Sequence, residues 1–98
     1  MTNSISKNGT TTTIIFEGRL DTTTAPKLEK TLEQNLENTK DLVFDFEKLE
    51  YVSSAGLRVL LSTHKKISKT GTFKLINVGK MVMDVFEMTG FADILTIE

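Results

Sequence analysis

The chain alternates between short runs of strand formers and longer stretches with helical spacing, and that alternation limits its fold more than any other feature. Asn8-Gly9 is a hairpin dipeptide, suited to a type I′ turn whose two central residues take positive φ, and it leads into Thr10-Thr11-Thr12-Thr13-Ile14-Ile15-Phe16. The expected strands run from Ser4 to Lys7 and from Thr11 to about Leu20. Thr22, Thr23 and Thr24 then offer a helix cap, Pro26 suits a first helical turn, and Leu28, Leu32 and Leu36 recur every four residues in a helix to about Asn38. Leu42-Val43-Phe44-Asp45-Phe46 reads as a largely buried strand. From Ser54 onward, Leu57, Leu60, Leu61, His64 and Ile67 follow helical spacing, with Gly71 as the expected left-handed stop. Phe73 to Val78 alternates as a strand and Gly79 breaks it. Val82, Val85, Phe86 and Thr89 share one face of a third helix ending at Gly90, and Ile94 to Ile97 forms a last short strand. The order ββ-α-β-α-β-α-β places the chain in the α/β class, with a mixed β-sheet covered by amphipathic helices and joined by right-handed crossovers.

Across 98 residues there is no linker and no shift of composition, so residues 1–98 are expected to form one domain. Apolar content of 39% with 26% charged residues is that of a globular protein. A formal net charge of −1, with lysines scattered among acidic residues, supplies no basic field for a phosphate backbone, which argues against nucleic acid as a partner. The absence of cysteine removes disulfides, thiolate catalysis and cysteine metal sites. Met1-Thr2-Asn3-Ser4-Ile5-Ser6 lacks the basic and apolar regions of a signal peptide, and the apolar runs fall far short of a bilayer span. The expectation is a cytoplasmic protein with no membrane association.

Chemistry concentrates in Tyr51-Val52-Ser53-Ser54-Ala55-Gly56-Leu57, where two serines stand between a strand and a helix. The uncapped N–H groups and positive dipole end of a helix N-terminus can receive an anion there, which makes the serines a place for a phosphoserine switch. The same hydroxyls have a plainer use as a helix cap, worth about 1 kcal/mol. A nucleophile elbow needs a glycine two positions before the serine, where Val52 stands. The one histidine, His64, is ten residues further on in the same helix, about 15 Å along its axis, too far to act as a base. No catalytic residue, metal site or cofactor is therefore assigned. Asp45 and Glu47 read as a solvated strand face, Lys65, Lys66 and Lys69 as a solvated helix face, and Met81, Met83 and Met88 as core filling.

Gly18-Arg19-Leu20-Asp21, then Val43-Phe44-Asp45 leading into Tyr51-Val52-Ser53-Ser54-Ala55-Gly56-Leu57, then Met88-Thr89-Gly90-Phe91, together resemble the STAS domain of bacterial anti-sigma factor antagonists over nearly the whole chain. The resemblance implies a non-enzymatic partner switch. The unmodified form would bind a cognate anti-sigma factor that is also a serine kinase, phosphorylation by that kinase would end the binding, and a serine phosphatase would restore it. It implies Ser54 as the acceptor, with Ser53 as the second assignment. Asp21, Ser53 and Gly56 would support phosphorylation or partner binding, with an Asx-type cap of the first helix as the alternative role of Asp21. Ser53 and Ala55 replace the aspartate and second serine of the common Asp-Ser-Ser-Gly-Leu form. A different class of function is a STAS module that binds a small ligand or scaffolds a signalling assembly without being phosphorylated.

Overall fold

A computed structural model describes residues 2–98; Met1, part of the N-terminal reading above, lies outside them. Five strands and three helices follow the expected order: β1 (Thr2–Asn8), β2 (Thr11–Leu20), α1 (Ala25–Asn35), β3 (Asp41–Val52), α2 (Ser54–Ile67), β4 (Thr72–Ile76), α3 (Lys80–Thr89) and β5 (Thr96–Ile97), with a 3-10 turn at Phe91–Asp93. The strands stand in the sheet in the order β1-β2-β3-β4-β5. Among the described residues only the β1–β2 pair is antiparallel. Each crossover steps the same way, so right-handed connections place all three helices on one face of the sheet.

Burial agrees with that layering. Ile14 and Phe16 of β2, Leu42, Phe44 and Phe46 of β3, and Phe73 and Leu75 of β4 pack with Leu28, Leu32, Leu57, Leu60, Val82 and Phe86 of the helices in one core. The intervening residues Thr13, Ile15, Asp45 and Lys74 are half-buried or exposed on the opposite face. Phe16 and Phe44 meet edge-on at 4.8 Å between ring centres, and Phe44 meets Phe73 at the same distance, the T-shaped geometry that ring quadrupoles favour.

Several boundaries differ from expectation for identifiable reasons. The hairpin turns one residue later: Asn8 pairs with Thr11, and of the two residues between them only Gly9 takes positive φ, at 63°, as a turn with glycine at its first central position requires. Helix α1 stops at Asn35, and Asn38 adopts φ of 66°, a left-handed conformation that asparagine tolerates. Strand β3 continues through Val52 because it is bulged. Ile15 pairs with Asp45 but Glu17 with Lys48, and Gly18 pairs with Leu49 but Arg19 with Tyr51. Each extra residue resets the pleat, so Leu49 and Val52 return to the core face after Phe46 at a spacing of three.

Gly71 is not a left-handed stop. Its backbone passes so close to Lys40 that a Cβ would sit 1.7 Å from the Lys40 carbonyl oxygen, and it is this approach that calls for glycine. At Gly90 the expected left-handed cap is present, with φ of 81°. Asn77, with φ of 56°, ends β4 before Val78, and β5 is confined to two residues behind the 3-10 turn. Met81 and Met88 do not fill the core: they are 72% and 81% exposed, while Met83 is half-buried against it. Helix α3 buries Val82 and Phe86 instead.

Candidate functional site

The C-terminal ends of β2 and β3 meet the start of α2. Leu20 pairs with Val52, and the Ser53 N–H donates to the Leu20 carbonyl at 2.9 Å, so the chain leaving β3 is tied to the end of β2 as the helix begins. Both side chains, Leu20 and Val52, are buried beneath this junction. Gly56, in the first turn of α2, rests directly on them: an added Cβ would lie 2.8 Å from Leu20 Cγ and 2.9 Å from Val52 Cγ2. Gly56 is itself buried, so its contribution is to let the helix start seat against the strand ends.

Ser53 and Ser54 have different surroundings. Ser53 is the N-cap of α2, in extended conformation, and its Oγ accepts the Gly56 N–H at 3.3 Å. That hydroxyl is half-buried and engaged. Ser54 is the first residue of the helix and exposed. No acidic residue stands in the first turn of α2, so the dipole end is not already neutralised from within the helix.

Asp21 follows Leu20 at the same junction. Its Oδ1 accepts the Thr23 N–H at 3.0 Å and the Thr24 N–H at 3.1 Å, and the Thr24 hydroxyl donates to the Arg19 carbonyl at 2.9 Å. This is the Asx-type turn into α1, and the threonines contribute through it rather than through a side-chain cap bond from Thr24 to the helix. The Thr24 N–H is the main cause that holds the Asp21 carboxyl below the usual carboxylate range. The loss of solvent opposes it, and the Thr23 N–H, the Thr24 hydroxyl and the Arg19 charge reinforce it.

Two residues that the sequence reading left without a role complete the junction. Arg19 and Tyr51 are register partners on neighbouring strands, and the Arg19 guanidinium lies over the Tyr51 ring, 4.4 Å from its centre. Arg19 Nε approaches Asp21 Oδ2 at 3.9 Å. The only signal in the sequence for this pair is their position just before Asp21 and Ser53; the register that opposes them depends on the two bulges.

The other residues considered lie elsewhere. Asp45 accepts the Glu47 N–H at 3.0 Å and the Asn77 side-chain amide at 3.1 Å, bracing the first bulge. His64 is half-buried on α2, with Nδ1 enclosed and without a hydrogen-bond partner among the described residues. It borders a cavity of about 570 Å³ whose walls include Thr11, Asp41 and Thr72, the first residues of β2, β3 and β4, and so lies at the end of the sheet opposite Ser54. Among the described residues no group of histidine, aspartate or glutamate could hold a metal ion, and no helix is long and apolar enough to cross a membrane.

Comparison with known proteins agrees with this architecture. The STAS domain model matches residues 4–98. The chain is 33% identical over 81 residues to the anti-sigma-B factor antagonist of Bacillus subtilis, covering 82% of this chain and 74% of that protein. An anti-sigma factor antagonist from Mycobacterium paratuberculosis superposes with a TM-score of 0.88 at 24% identity, over 98% of this chain and 83% of that one. The anti-sigma factor antagonist SpoIIAA has the same fold in its unphosphorylated form, with a TM-score of 0.77 at 16% identity over 99% of this chain and 87% of that one. The phosphorylated form of SpoIIAA, a Bacillus cell fate determinant, gives 0.76 at 17% identity over 99% and 91%. A mixed sheet with its helices on one face, a serine-led helix at the strand ends and a family match across almost the full length make this chain a member of the STAS domain family.

Proposed function

We propose that this protein is an anti-sigma factor antagonist in which Ser54 is the phosphate acceptor of a partner switch. The observation that carries the reading is the contrast between the two serines: Ser54 is exposed at the first position of α2, whereas the Ser53 hydroxyl is engaged as the cap. The relatives named anti-sigma-B factor antagonist support the partner class. In this reading the unmodified junction docks on an anti-sigma factor with serine kinase activity. Phosphorylation adds roughly −1.5 to −2 charge and three acceptor oxygens at a surface that close packing needs nearly neutral. Desolvation of that charge, with the Asp21 carboxylate nearby, opposes redocking, and a serine phosphatase resets the switch.

The experiment is incubation with ATP and the cognate kinase, followed by intact mass and site mapping. A single phosphate on Ser54 is the expected result; a phosphate on Ser53, or none under conditions where the kinase is active, contradicts the assignment.

The cavity behind His64 supports a second reading, a STAS module that takes a small ligand at the far end of the sheet. It predicts ligand-induced shifts of the His64, Ser68 and Lys74 resonances in a metabolite screen, with none at Ser54.

A further inference from the structure

We infer that β1 is a self-association strand: two copies of this chain pair antiparallel along it, Ile5 against Ile5, and join their sheets into one. The inference is independent of which serine is modified.

The two edges of the sheet differ. At one, β5 is two residues long and lies behind the 3-10 turn, so it offers little backbone to a partner. At the other, β1 runs for seven residues, and among the described residues its only neighbour in the sheet is β2. Devices that blunt an edge are sparse along it. There is no proline, the register with β2 is unbroken from Thr2 to Asn8, and Lys7 is the one charge.

The hairpin decides which backbone groups of β1 are free. Gly9 and Thr10 form a two-residue loop, so Asn8 and Thr11 exchange both of their hydrogen bonds, and the pairs Ser6–Thr13 and Ser4–Ile15 do the same in turn. The N–H and C=O groups of Asn3, Ile5 and Lys7 therefore point away from β2, out of the sheet. These free groups are complementary to themselves. With Ile5 opposite Ile5 on a two-fold axis, Asn3 of each copy stands opposite Lys7 of the other, and every outward donor and acceptor from Asn3 to Lys7 meets a partner. Shifting the register by one such pair in either direction sets Ile5 against Asn3 or Lys7 instead of itself.

Charge and packing favour the same register. Lys7 then faces a neutral asparagine, and the two lysines lie four residues apart along the paired strands, about 14 Å, beyond the roughly 8 Å over which exposed charges interact at physiological salt. Ile5 is the register partner of Ile14 and packs half-buried against the core on the helix-covered side. A second Ile5 covers its exposed part and makes the two cores continuous. One strand of about 24 Å offers less than the roughly 800 Å² per partner of a standard interface, so the dimer forms at high protein concentration and dissociates on dilution. Strand β2 lies between β1 and β3, the strand that leads into Ser54. Pairing therefore leaves both serine junctions free and presents them at opposite ends of the shared sheet.

The test is sedimentation velocity of the full chain from about 10 μM to about 1 mM, with the average mass expected to rise from monomer towards dimer across that range. Asn3→Lys sets like charges directly opposite at both ends of the strand pair, and Asn3→Glu sets opposite ones. The first is expected to raise the dissociation constant at least about fivefold and the second to lower it. Adding Lys7→Glu to Asn3→Lys restores the dimer, because the charges are again complementary. Within one copy positions 3 and 7 are about 14 Å apart on the same strand, so unchanged urea midpoints are expected and show that the variants are folded. A chain that stays monomeric over the whole range overturns the inference. So does a dimer that is indifferent to these charges, since another surface then forms the contact.

Discussion

At the scale of single residues the junction separates an engaged hydroxyl, Ser53, from an exposed one, Ser54, to which the proposed function gives the regulatory role. Ser53 binds the Gly56 N–H, so Ser53→Ala should cost about 0.5–1 kcal/mol in urea unfolding. Ser54 makes no such bond among the described residues, and Ser54→Ala should leave the unfolding midpoint within about 0.5 kcal/mol of wild type. On the proposed function, the same Ser54→Ala chain binds the anti-sigma partner and is not released by ATP. Ser54→Asp weakens binding less than phosphate does, since one carboxylate carries less charge and fewer acceptors. Asp21 has a pH signature. Its carboxyl is held below the ordinary value of 3.8, so its contribution to stability is fully present above that pH and is lost as pH falls through its lower folded value. Thermal unfolding of wild type should therefore fall towards that of Asp21→Asn as the pH drops below 3.8, the difference between them closing in acid; a difference that stays constant from neutral pH into that range contradicts the Asx-turn account.

At the scale of elements, two glycines fix how helices meet strands, and neither does so through unusual φ. A methyl at Gly56 would press on Leu20 and Val52, and the overpacking cost of about 1–3 kcal/mol exceeds the gain of up to about 1 kcal/mol from helix propensity. Gly71→Ala meets backbone that cannot turn aside, and a loss above about 3 kcal/mol is expected in the same unfolding experiment. Element order and type were legible in the sequence because Leu28 and Leu32, Leu57 and Leu60, and Val82 and Phe86 recur with helical spacing, while Phe44 and Phe46 alternate. The length of β3 was not, because its bulges replace the alternation after Phe46 with the spacing Phe46, Leu49, Val52. Gly71 read as a helix stop because close backbone approach leaves no local mark. The exposed faces of Met81 and Met88 were hidden for a related reason: their side-chain chemistry suits a core, and only the position of α3 over the sheet decides which face is covered.

At the scale of the whole molecule, the serine junction and the cavity beside His64 lie at opposite ends of the sheet. The C-terminal ends of β2 and β3 carry Asp21, Ser53 and Ser54 with Arg19 and Tyr51, the end where loops of parallel strands commonly bind. The position of Ser54 at a strand-to-helix junction was readable from its neighbours; the Arg19–Tyr51 contact depended on a register that only the folded sheet defines. The central claim is that charge arriving at Ser54 decides whether this surface is held by its partner. Calorimetric titration of the anti-sigma factor with the unmodified chain and with the chain phosphorylated at Ser54 tests it most directly. The account predicts binding at least tenfold weaker after phosphorylation, ~1.4 kcal/mol, and equal affinity of the two forms would contradict it.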